Sequence, residues 1–182
     1  MYQIKYAYLG GFRALATVFE RYKIFIDTRD ISIAPHLAME GLWEGNITRL
    51  VSRILKPGMT FLDVGANFGY FSVLAGSLVG SAGRIFAFEA DPRIHRLLFH
   101  TMEINGFRGF ASIENLAVFS RGGQVVLSCL ENHFGSNTLQ VFTEESAKSE
   151  LETVSKVNIT AVSLDSYFSD KEGVIDLAKI DV

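Results

Sequence analysis

The chain has 182 residues, a hydrophobic fraction of 48% and a formal net charge of −3. That length and apolar content suit one domain with a sizeable core, and so low a charge without a Lys/Arg cluster argues against a general nucleic-acid binder. No apolar run reaches the ~20 residues of a membrane helix, and the single Cys129 cannot form an internal disulfide, so a cytoplasmic, reducing location is expected.

Residues 12–25 predict a short amphipathic helix or an irregular lead-in, in which Arg13, Glu20, Arg21 and Lys23 break any signal-peptide core. Residues 1–40 form this lead-in, and 41–182 the main domain. A helix is predicted over 43–55, where Ile47, Leu50, Val51 and Ile54 recur on one face and Pro57-Gly58 ends it. Thr60 to Val64 predicts a buried strand. A glycine turn at Gly65 leads into a helix to about Leu78, and Gly80 to Gly83 turn the chain into a second strand, Arg84 to Phe88. Asp91 can cap the next helix, with Pro92 at its first position and Gly106 as its stop. Phe110 to Glu114 predicts a third strand. Gln124 to Leu130 and Lys156 to Val162 are extended runs that can pair, and Thr143 to Glu152 between them is a loop or short helix. Ser163 to Phe168 predicts a capped helical turn, and Val174 to Val182 a strand beside the first.

Strands alternating with helices predict an α/β fold, a parallel sheet with helices on both faces. Ligands of such sheets bind outside the carboxyl ends of the strands. Asp63, Glu89, Glu114, Asn115 and Asp181 all fall at such ends.

The stretch Phe61-Leu62-Asp63-Val64-Gly65-Ala66-Asn67-Phe68-Gly69 carries the most information. Gly65 and Gly69 allow a tight turn that brings a ligand near the amides opening a helix. The pyrophosphate-binding fingerprint G-x-G-x-x-G lacks its middle glycine here. Asp63 just before the turn would repel a pyrophosphate. It suits a ligand with cationic groups and no phosphate, and S-adenosylmethionine carries an ammonium and a sulfonium. Glu89 falls where an acidic side chain accepts hydrogen bonds from ribose hydroxyls.

The run Asp63 to Ser72 resembles the first motif of the FkbM-type S-adenosylmethionine-dependent methyltransferases. So do Gly41-Leu42-Trp43-Glu44, Phe88-Glu89-Ala90-Asp91-Pro92, Asn115-Leu116-Ala117-Val118, Val162 to Phe168 and Lys179-Ile180-Asp181-Val182. The resemblance implies the seven-stranded, Rossmann-like methyltransferase sheet and methylation of a hydroxyl oxygen on a small molecule or sugar. Family members continue past the last of these motifs into roughly three more strands, so the resemblance implies a chain truncated at its C-terminus, with the last strands of the usual seven missing.

The roles expected follow. Gly65 and Gly69 approach the methionine part of the cofactor, Asp63 and Asn67 hold its amino and carboxylate groups, and Glu89 holds the ribose. Asn115 and Ala117 flank the adenine. Trp43 and Glu44 close the pocket, Glu44 on the strength of the family pattern. Asp181 orients the acceptor or acts as base, with His133 as an alternative base. His36, His95 and His100 show no metal-ligand spacing, and no metal is expected. The expected partner is a small-molecule hydroxyl acceptor, with no nucleic acid and no membrane, and a homodimer exchanging elements would cover an exposed last strand. Three other readings stand beside this one. They are an NAD-dependent oxidoreductase, a non-catalytic binding or assembly module, and an amino-methylating enzyme of DNA bases, whose Pro-Pro motif is absent.

Overall fold

The computed structural model describes residues 5–130, 132, 138–139 and 154–181. The predicted segment Thr143 to Glu152, His133 and Val182 lie outside these residues.

The chain opens on an antiparallel meander, β1 (Tyr6–Gly10), β2 (Arg13–Val18) and β3 (Tyr22–Asp27). The helix expected over 12–25 is therefore two strands. Phe12, Phe19 and Glu20 adopt positive φ at the reversals, which breaks any continuous helix. Between the turns the burial has period two. Ala14 pairs with Ile26 and Ala16 with Ile24, all four buried, so cross-strand packing overrides the helix propensity of the Ala-Leu-Ala run. The free edge of β3 is met by side chains of the later helix α4 (Pro92–Ile104). Thr101 Oγ1 accepts from the Phe25 N–H at 3.0 Å. Asn105, just past the helix, accepts from the Lys23 N–H at 2.9 Å and donates to the Lys23 carbonyl at 2.6 Å. Edge groups that would otherwise template another strand are thereby satisfied. Residues from this meander share one core with Phe61, Phe71 and Leu98.

Two helices follow, α1 (Ala34–Met39) and α2 (Gly45–Ile54). Of the apolar recurrence in α2, only Val51 is buried, while Ile47, Leu50 and Ile54 are exposed. Among the described residues no helix is long and apolar enough to cross a membrane.

The central sheet is parallel, with strand order β11-β4-β5-β6. Its members are β4 (Thr60–Val64), β5 (Arg84–Phe88), β6 (Ala111–Glu114) and β11 (Leu177–Ile180). The strands β4 and β5 coincide with their predicted spans. One face packs Phe61, Ile85 and Ala87 with α3 (Tyr70–Val79) and α4. The other packs Leu62, Val64, Phe86 and Phe88 under the short helix α5 (Leu164–Phe168). There Phe168 meets Phe86 edge-on at 5.0 Å between ring centroids, and Tyr167 meets Phe88 at 4.8 Å. This is the expected α/β, Rossmann-like layering with helices on both faces.

A second sheet has the order β7-β10-β8-β9, from β7 (Ala117–Val118), β8 (Gly123–Leu130), β9 (Thr138–Leu139) and β10 (Val154–Val162). The two extended runs pair as expected, antiparallel, with Gln124 opposite Thr160.

Chain direction across the central sheet decides where a ligand can sit. The chain steps from β4 to β5 to β6 and then returns to place β11 on the other side of β4. The reversal leaves a crevice at the carboxyl tips of β4 and β11, the topological switch point of such sheets.

Candidate functional site

β4 ends at Val64, and the backbone reverses through Gly65 (φ 74°), Asn67 (φ 51°) and Gly69 (φ 94°) before α3 begins. The amides of this loop are engaged within the protein. Gly65 and Ala66 donate to the Phe88 carbonyl at 3.0 and 2.9 Å. Asn67 N–H donates to Glu89 Oε2 at 2.8 Å, Phe68 N–H to Asn67 Oδ1 at 2.7 Å, and Gly69 N–H to the Ala66 carbonyl at 2.9 Å. The turn's own amides are therefore not the ones presented to a ligand. A phosphate cradle needs free N–H groups, and five consecutive ones here are spent.

Gly69 serves packing. A Cβ there would lie 2.6 Å from Leu98 Cδ1, so its missing side chain lets α3 and α4 approach. Gly65 and Asn67 line a cavity of about 350 Å³ at the switch point, and Gly69 does not. That volume falls in the range of small-molecule sites.

Glu89 caps β5 and reaches this cavity, buried to 8% exposure. Its two oxygens accept from the N–H groups of Asn67 and Asp91, at 2.8 and 2.9 Å. Burial pushes its pKa up to about 7, partly opposed by those two N–H groups and assisted by the charges of Asp91 and Asp63. Asp91 in turn accepts from the Arg93 N–H at 2.8 Å as the α4 cap and pairs with the Arg93 guanidinium at 2.7 Å.

The raised Glu89 pKa has a sign. An acid whose folded pKa exceeds its unfolded value of about 4.5 binds more protons in the folded state between the two values. Its contribution is present in full below about pH 4.5 and is lost as pH rises through about 7. Thermal melts of the ligand-free protein are therefore expected to show a midpoint falling across that window. Glu89→Gln should flatten that part of the profile, and an unchanged slope in the variant would assign it elsewhere.

Asp63 sits one pleat before the glycine turn, fully buried. Ser72 Oγ donates to its Oδ2 at 2.6 Å, and its Oδ1 has no hydrogen-bond partner among the described residues. Burial raises its pKa, an effect opposed first by the charge of Lys179. Lys179 is its register partner on β11. The Lys179 ammonium lies 2.8 Å from Asp181 Oδ2 and 5.0 Å from the centre of the Phe71 ring. Lys179 and Asp181 both line the cavity.

The remaining predicted residues divide. Ala117 lines the cavity, and Trp43 closes it with Ile33 and Leu37. A chain of contacts fixes Trp43, whose carbonyl accepts from Thr48 Oγ1 at 2.7 Å, with Tyr70 Oη 3.2 Å from that same Thr48 oxygen. Asn115 is not among the lining residues. Its amide donates to the carbonyls of Glu89 and Ala90 at 2.8 and 3.0 Å, which braces the loop carrying Glu89. Glu44 is exposed, leads into α2 with φ 43° and lies outside the lining. Glu114 is taken up by Tyr167, whose hydroxyl donates to it at 2.6 Å. Cys129 is a buried thiol whose pKa burial pushes up to about 12. Among the described residues no His/Cys/Asp/Glu cluster could hold a metal ion.

Sequence reasoning missed Lys179 and the lead-in residues Ile33 and Leu37. Lys179 was within reach, because strand alternation puts it on the same face as Asp181, two residues on. Nothing local marks Ile33 and Leu37 as cavity wall.

A family model described as the methyltransferase FkbM domain matches residues 63–182. A protein-L-isoaspartate O-methyltransferase of Aeropyrum pernix is 38% identical over 58 residues, 32% of this chain and 22% of the relative. A ribosomal RNA large subunit methyltransferase E of Acinetobacter baumannii is 40% identical over 73 residues, 40% of this chain and 33% of the relative. A structure of Pyrococcus horikoshii TYW2 in complex with MeSAdo superposes with a TM-score of 0.47 at 19% identity, covering 63% of this chain and 40% of that one. The chain thus spans about a fifth to a third of the length of these two curated relatives.

Proposed function

This chain belongs to the FkbM methyltransferase family, and on that premise we propose that it uses S-adenosylmethionine to methylate a hydroxyl oxygen of a small molecule or sugar. The observation that carries this reading is the acidic, phosphate-free character of the strand-tip site. The loop amides of residues 65–69 are spent internally, while the acids Glu89 and Asp181 face the cavity and Asp63 lies behind the turn. A pyrophosphate finds no free turn amides at residues 65–69 and a single cation, Lys179, set among acids, which disfavours an NAD-dependent oxidoreductase.

The residues present fit the cofactor. Glu89 has lone pairs beyond the two that accept backbone N–H groups and is the acceptor for the ribose hydroxyls. Buried Asp63, whose Oδ1 has no hydrogen-bond partner among the described residues, stands behind the turn as an acceptor for the cationic methionyl end, directly or through water. Gly65 and Asn67 wall that end, and Ala117 flanks the adenine. When bound, the cofactor supplies a methyl group on a sulfonium, open to in-line attack. What remains for the protein is to hold the acceptor in line and remove its proton. Asp181 takes that role, its carboxylate accepting the proton of the acceptor hydroxyl at the mouth of the cavity.

The size and charge of the site support a small acceptor. The cavity is about 350 Å³, and Lys179 is the one cation among its described lining residues. A phosphate-rich RNA surface would call for several. Incubation with methyl-labelled S-adenosylmethionine and matched hydroxyl and amine acceptors tests the reading. Label is expected on the hydroxyl compounds. Label only on amines, or on added RNA, would overturn the assignment of the acceptor.

A further inference from the structure

We propose that Lys179 is the site's carboxylate-recognition residue and makes it selective for a cofactor with an intact amino-acid tail. The inference rests on the S-adenosylmethionine reading above and deepens it.

Strand alternation places Lys179 and Asp181 on one face, and parallel pairing places Lys179 beside Asp63. Three ionisable groups therefore meet at the switch point, two carboxyls and one ammonium. The Lys179 side chain is only 15% exposed, held between the Phe71 ring at 5.0 Å and Asp181 at 2.8 Å. A lysine so enclosed loses hydration and needs anionic company. Asp181 is 65% exposed and supplies that company from the solvent side only.

The charge pattern complements one ligand chemistry. The tail of S-adenosylmethionine carries an ammonium, a carboxylate and, nearby, the sulfonium. Asp181 on the cavity wall and Asp63 behind the turn answer the two positive groups, and Lys179 answers the carboxylate. No other cation among the described lining residues can do so. A lysine ammonium has three donors, so it can hold the Asp181 oxygen and a ligand carboxylate together. In doing so it would fix the tail against the same Asp181 that faces the acceptor.

The test is a calorimetric titration with two ligands, S-adenosylhomocysteine and its decarboxylated analogue, which keeps the amine and lacks only the carboxylate. The wild-type chain is expected to bind the intact ligand about tenfold more tightly or better, the size of one charge-assisted hydrogen bond. Lys179→Met should bring the two affinities together, and Lys179→Arg, which retains the cation, should keep most of the preference. The wild-type comparison needs no variant to fold. Equal binding of both ligands by the wild type would overturn the proposal. So would a Lys179→Met variant that weakens both to the same degree, since that is what a purely structural cation between Asp63 and Asp181 would do. If the folded wild type binds neither ligand, the cofactor reading itself falls, an outcome separate from the other two.

Discussion

Glu89→Ala is expected to weaken S-adenosylhomocysteine binding by about 10²-fold, while Glu89→Gln weakens it about tenfold. The difference follows from what the carboxylate does. It stands at the tip of β5 with both oxygens buried and each accepting one backbone N–H. Its remaining lone pairs are the ones a ribose diol would use. Alanine removes every acceptor and strands the N–H groups of Asn67 and Asp91. Glutamine keeps one acceptor and turns an amide toward one of those N–H groups. A second signature belongs to the same residue. Because burial lifts the Glu89 pKa to about 7, and the ionised form is the better acceptor for hydroxyls, wild-type affinity should rise as pH increases through that value. The glutamine variant should lose this rise. Titrations at pH 6 and 8, on protein shown to be folded, measure both effects.

Gly69→Val is expected to cost about 4 kcal/mol of stability, the sum of two separate penalties. The first is conformational. Gly69 has φ 94°, a region that β-branched residues avoid, and holding one there costs about 1–3 kcal/mol. The second is steric, because a Cβ would lie 2.6 Å from Leu98 Cδ1 and 3.5 Å from Thr101 Cγ2. Overpacking of this kind costs about 1–3 kcal/mol. For a chain of this size the melting midpoint should fall by about 10 °C. Leu98→Ala separates the two penalties. Combined with Gly69→Val it should destabilise less than the sum of the single variants, because the clash is relieved while the φ strain stays. Strict additivity would mean that Leu98 is not the obstacle.

Much of the central fold could be read from the chain because local signals and tertiary packing agree there. Thr60 to Val64 and Arg84 to Phe88 are apolar runs each entered from a glycine turn, and they form strands at those limits. Asp91 and Pro92 announce the start of α4, and the Asp91 side chain does cap it. The N-terminal forty residues were illegible for the opposite reason. Ala14, Leu15 and Ala16 favour a helix locally, and only pairing with Ile24 to Ile26 and packing against α4 make them a strand. Those are long-range facts with no local mark.

The site divides in the same way. Acids at strand tips could be placed from sequence, since a strand end and a side chain's parity are local properties. Where the loop amides point could not be read. It depends on Phe88 and Glu89 of the neighbouring strand accepting from Gly65, Ala66 and Asn67. Asn115 was expected beside the adenine and instead braces the Glu89 loop through two carbonyls. Its position in sequence was informative, and its side chain's direction was set by partners 25 and 26 residues away.

On the proposed reading, the crevice between β4 and β11 takes a cationic, phosphate-free nucleoside cofactor. Calorimetric titration of the folded chain with S-adenosylhomocysteine, set beside NADH under identical conditions, tests it most directly. Saturable binding of S-adenosylhomocysteine with one site per chain, and none of NADH, is the result predicted. No heat from S-adenosylhomocysteine on a chain shown to be folded, or tighter binding of NADH, would contradict it.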